Sequence, residues 1–127
     1  MNKKITTLHA EMIKEYHGDA KRIQHFCKVH SYAKLIAEME GMPAEELFIL
    51  EAAALTHNGK LQEKEGPALA KELLARLDFS QDVSERVQYL IGHHHTYQNI
   101  VGMDYQILVE ADFLVNLYED QSPEKAV

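Results

Sequence analysis

The stretch Glu51-Ala-Ala-Ala-Leu-Thr-His57-Asn58-Gly59-Lys60 limits what this chain can fold into more than any other. Alanine and leucine favour helix. A run of them offers water no polar face, so it reads as the end of a buried helix. Asn58-Gly59 is a turn signal that closes the helix. His57 therefore stands at the mouth of a buried helix, an unusual place for a polar, metal-capable side chain. Three other features repeat the theme: His25, the triplet His93-His94-His95, and Asp112. Each sits on or beside an apolar helical face. Features so far apart in sequence are most simply explained by one shared buried site.

Helical periodicity dominates the rest of the chain, and strand signals are weak. A first helix is expected over 6–16, with Ile5, Leu8, Met12 and Ile13 as its apolar stripe. A second, over 20–39, is capped by Asp19 and buries Ile23, Phe26, Val29, Ala33, Ile36 and Ala37. His25 lies on the flank of that face, with Arg22 one turn earlier on the same side. Gly41 ends this helix and Pro43 opens a third over 44–56. There Leu47, Leu50, Ala54 and His57 share a stripe, which aims His57 inward. After a loop over 59–65, Gly66-Pro67 starts a fourth helix with Leu69, Leu73, Leu74 and Leu77 apolar. Ser80 caps a fifth, with Val83, Val87, Leu90 and Ile91 inward, leading to the histidine triplet and a loop over 96–102. A sixth, over 104–118, has the core stripe Ile107, Leu108, Ala111, Leu114 and Val115. Asp112 falls in that stripe, where a lone carboxylate would cost several kcal/mol unless paired or bound to a cation. The expected fold is an all-α, single-domain bundle of about six or seven helices with the site at its centre.

Composition narrows the function. At 127 residues the chain is long enough for one domain with its own core. Its formal charge of −7 argues against a nucleic-acid surface, which needs a clustered basic face. A single cysteine, Cys27, rules out an internal disulfide, so a reducing, cytoplasmic setting is expected. The N-terminal residues lack the apolar segment of a signal peptide, and no apolar run approaches the ~20 residues of a membrane span.

Imidazoles with a carboxylate suit Fe, Mn, Zn, Co or Ni better than Ca or Mg. Such a site can activate a water and grip a phosphoryl oxygen. Each residue also has a duller account. His25 could be an ordinary core or surface histidine. The triplet could be a solvated helix end favoured by the dipole. Asp112 could pair with a lysine or cap a neighbouring helix.

Taken in order, Arg22-Ile-Gln-His25, Ala52-Ala-Ala-Leu-Thr-His57, Ile91-Gly-His93-His94-His95 and Glu110-Ala-Asp112 resemble the HD-domain superfamily over residues 19–119. Within it, Leu90-Ile-Gly-His-His-His and Ile107-Leu-Val-Glu-Ala-Asp-Phe-Leu-Val-Asn resemble a bacterial subfamily of small members. The resemblance implies a metal-dependent phosphohydrolase holding one or two divalent transition-metal ions. It assigns His25 to the first metal histidine, His57 to the histidine of the His-Asp doublet and Asp112 to the final aspartate. It assigns His93 and His94 to a second ion where one is bound, while which of His93, His94 and His95 points inward stays open. Arg22, with Lys60, is expected to offset substrate phosphate charge.

One departure stands out. Asn58 follows His57 where the resemblance expects the doublet's aspartate. An asparagine offers only a neutral carbonyl oxygen. Either the acid is lost, or a loop of roughly a dozen residues carrying it is missing between His57 and Asn58. The second account is preferred. Ser122-Pro123-Glu124 has the signature of a helix start, so a further helix is expected beyond the end of the sequence. The expected function is hydrolysis of a small phosphate ester, with nucleotides as leading candidates, and without nucleic-acid or membrane partners. A homodimer is compatible with the chain. The competing readings are a degenerate domain that binds metal or nucleotide without turnover, and a helical interaction protein with no metal.

Overall fold

The computed structural model describes residues 3–57, 66–93 and 102–120. Among them are six helices and no strand: α1 (Lys3–Glu15), α2 (Ala20–Met39), α3 (Ala44–Thr56), α4 (Gly66–Arg76), α5 (Gln81–His93) and α6 (Met103–Asp120). The expected all-helical single-domain bundle is what forms. None of these helices is long and apolar enough to cross a membrane.

The bundle is arranged around α3, which packs against α1, α2, α5 and α6. Every residue from Leu50 to His57 is buried. The three alanines explain how: small side chains let four neighbouring helices approach one axis without voids. Glu45 and Glu46 in the first turn of α3 oppose the positive end of its dipole.

Local signals fix where the helices start and stop. The Asp19 side chain accepts from the Arg22 amide at 3.1 Å, and Ser80 Oγ from the Val83 amide at 3.3 Å. Both caps are the expected ones. Gly41, at φ +70°, ends α2 in a left-handed turn in which the Met42 amide donates to the Ala37 carbonyl at 3.0 Å. α4 ends the same way without a glycine. Asp78 takes φ +65°, and the Phe79 amide donates to the Leu74 carbonyl at 2.9 Å. Aspartate is among the few residues that tolerate this region. The Lys4 ammonium donates to the Asp78 carbonyl, tying α1 to that turn.

Three details depart from expectation. α1 starts at Lys3, ahead of the expected residue 6. Pro43 occupies the cap position of α3, with φ −58° and ψ 150°, and makes no side-chain cap bond. Leu114, Ile13 and Leu69, each expected in an apolar stripe, are exposed; Leu114 retains 44% of its surface. α6 packs on α2 and α3; along it Leu108, Ala111, Asp112 and Val115 are buried, and Leu114 falls outside their arc.

A polar chain runs between α1, α2 and α3. His9 Nε2 lies 3.2 Å from Cys27 Sγ, the His9 and His30 rings meet edge-on at 5.5 Å, and His30 Nε2 lies 3.0 Å from Glu51 Oε1. Burial pushes the Cys27 thiol up, so at neutral pH it keeps its proton. Burial first, and the neighbouring His30 second, push His9 below the 6.5 of a free imidazole. The sign follows directly. The unfolded chain takes up a proton at His9 before the folded one does, so folding loses stability as pH drops through 6.5. His9→Gln should flatten the acid limb of urea-unfolding stability measured below that pH. An unchanged slope would show that His9 does not contribute to it.

Candidate metal centre

Three helices each bring one side chain to a common point. His57 is the C-cap of α3, at φ −73° and ψ 144°, with its amide still bonded to the Ala53 carbonyl at 3.0 Å. This break from helical geometry turns its ring away from the helix axis while the helix still anchors it. His25 comes from the second turn of α2, and Asp112 from the middle of α6. His57 is fully buried, the Asp112 side chain retains 2% of its surface, and His25 retains 16%. The site therefore communicates with the outside along the His25 edge.

Asp112 Oδ1 is the meeting point. It lies 3.2 Å from His25 Nε2 and 3.2 Å from His57 Nε2. The two rings are tilted at 53° with centroids 5.3 Å apart. One donor atom from each residue falls within 4.8 Å of the others. Asp112 Oδ2 faces elsewhere and accepts from Asn116 Nδ2 at 3.2 Å.

The tautomer of His57 follows from its other nitrogen. Nδ1 lies 2.6 Å from the Ala54 carbonyl, and a carbonyl only accepts, so Nδ1 carries the proton. Nε2 is then the nitrogen directed at the carboxylate. An imidazole whose outer N–H is held by a backbone carbonyl, with the other nitrogen facing an acidic oxygen, is the usual arrangement of a metal-binding histidine. Two ligands about 2.0–2.2 Å from one ion, at tetrahedral or right angles, stand roughly 3.0–3.5 Å apart. The observed separations of 3.2 Å agree with that. Two imidazoles and a carboxylate also form the donor set expected for Fe, Mn, Co, Ni or Zn. The residues thus fit a divalent transition-metal ion.

The other candidate residues are placed differently. His93 ends α5 on the surface. Its Nδ1 donates to the Tyr89 carbonyl at 2.8 Å, its ring stacks on Tyr89 at 4.4 Å, and its carbonyl accepts from the Tyr105 hydroxyl at 2.6 Å. It does not join the cluster of His25, His57 and Asp112. His94, His95, Asn58 and Lys60 lie outside the described residues. Arg22 stands one turn before His25, with its guanidinium 3.5 Å from Asp19 and 5.0 Å over the Tyr16 ring. Tyr16 also lines a small crevice of about 90 Å³ beside Thr56 and Arg76.

Two features escaped the sequence reading. Asn116 had a legible signal, since it stands four residues after Asp112 and so on the same helical face. The His30–Glu51 pair had none, because it depends on how α2 docks against α3. α6 itself is fixed at its start by Arg86, whose Nε and Nη2 grip Asp104 at 3.0 and 2.8 Å. Gly102, at φ +96°, makes room for that grip, because a Cβ there would lie 2.7 Å from Arg86 Nη2.

No protein-family model matches the chain, and no curated protein or solved structure does so either.

Proposed function

We propose that the protein is a metal-dependent phosphohydrolase acting on a small phosphate ester, with nucleotides as the first class to test. One observation carries this proposal: His25, His57 and Asp112, from three helices, converge on one buried point with metal-ligand spacing. In this proposal His25, His57 and Asp112 hold a divalent transition-metal ion. The chemistry such an ion supplies when bound is polarisation of a phosphoryl oxygen and a water acidic enough to attack at neutral pH. The chain's own residues prepare the place. The Ala54 carbonyl fixes the His57 tautomer, and the α3 core holds the ring against rotation. Burial of Asp112 and His57 excludes bulk water, which strengthens every charge interaction there. Arg22, one turn before His25 on α2, is proposed to supply positive charge for a phosphate. Lys60 is proposed for the same task.

The competing proposal, a domain that binds without turnover, rests on Asn58 after His57. An assay of phosphate release separates the two. Protein loaded in turn with Mn²⁺, Fe²⁺, Co²⁺, Ni²⁺ or Zn²⁺ is tested against nucleoside mono-, di- and triphosphates and simple phosphomonoesters, beside His57→Ala. Turnover with at least one ion, abolished in the variant, is expected. Tight ion binding with no turnover on any ester would favour the binding domain.

A further inference from the structure

Asp112 has two carboxylate oxygens, and the fold uses them differently. Oδ1 faces both imidazoles at 3.2 Å, while Oδ2 is engaged by the Asn116 amide at 3.2 Å. Asn116 is half-buried, one turn further along α6. Its side chain reaches back along the helix face that carries Asp112, the normal direction for such an i, i+4 pair. A carboxylate with a free second oxygen can swing to grip one ion with both oxygens, or bridge two ions. A carboxylate whose second oxygen accepts an amide N–H is held in one orientation, which favours ligation through the first.

Building on the proposed metal centre, we infer that Asn116 is a positioning residue that holds Asp112 as a one-oxygen ligand and so sets the centre for a single ion. His93 fits the same conclusion, because it sits on the surface engaged with Tyr89 instead of joining the cluster. Asn116 touches neither ion nor substrate. It acts through Asp112, as residues behind metal ligands usually do, and their loss typically weakens metal binding by about 10–100-fold.

Co²⁺ is the probe, because its visible absorption reports ligand number as well as occupancy. The wild-type chain should bind one Co²⁺. Asn116→Leu, which keeps the size and removes the amide donor, should bind it about 10–100-fold more weakly and with an altered visible spectrum. Asn116→Gln retains an amide and should recover part of both. Circular dichroism and thermal melting of the metal-free variants establish that they fold. Should Asn116→Leu not fold, Asn116→Ala takes its place with the same expectation. One Co²⁺ in the wild type, with unchanged affinity and spectrum in the folded variant, would overturn the role of Asn116 and leave the metal centre intact. Two Co²⁺ ions per wild-type chain would overturn the single-ion inference. No Co²⁺ in the wild type would overturn the metal centre itself, and this inference with it.

Discussion

Asp112→Asn is expected to reduce divalent-ion affinity by more than the roughly 100-fold that marks the upper range for residues behind metal ligands. The substitution keeps the shape of the side chain and removes its charge. The Asp112 side chain is almost wholly enclosed, retaining 2% of its surface, so water cannot compensate. Oδ1 also lies 3.2 Å from both histidines, so one atom faces the side chains that α2 and the end of α3 bring to α6. An amide there would offer either a neutral oxygen or an N–H group, and the latter opposes ion binding outright. Under the proposed function, phosphate release should vanish with the ion. Titration with Co²⁺, followed by calorimetry, measures the effect. Wild-type affinity in the variant would mean that the convergence of these three residues does not serve an ion.

Phe26→Ala should cost about 3–5 kcal/mol of folding stability. Phe26 is fully buried in α2, and its ring meets both Tyr16 and His9 at 6.4 Å. It thus touches a residue of α1 as well as the core of its own helix. Total stabilities of domains this size are about 5–15 kcal/mol, so the loss would be a large share. Phe26 also directly follows His25, and a cavity there would loosen the α2 turn that aims the imidazole. Urea unfolding should show a strongly lowered midpoint, and the metal affinity should drop with it. A loss under about 1 kcal/mol would mean that the core can close over the gap.

Much of this architecture was legible because its signals are local. Asp19 and Ser80 announced helix starts, Gly41 a helix end, and Ala52 to His57 a buried helix with a polar mouth. Those signals depend on neighbours a few residues apart, where helical spacing alone fixes who faces whom. The turn at Asp78 was not legible, because an aspartate in a left-handed turn resembles any surface aspartate until the preceding helix is seen to end. The inward aim of His57 and Asp112 could be read from their stripes. That they share one oxygen could not, since it depends on how α2, α3 and α6 dock. Leu114 shows the reverse error. Its spacing matched the stripe, but the arc covered by α2 and α3 is narrower than the run of apolar residues on α6. Glu51 lay inside the most informative stretch, and its pairing with His30 depended on the same docking.

The tie between His25 and Asp112 spans 87 positions of sequence. Closing so long a loop is entropically expensive, and it gains nothing until the helices between have packed. Contacts of this kind are expected to form towards the end of assembly. Interactions absent from the folding transition state leave the rate of folding nearly unchanged and slow the rate of unfolding. An ion held at the proposed centre would therefore work as a latch. It would do little to help the chain find its shape, and it would lengthen the time the bundle stays shut once found.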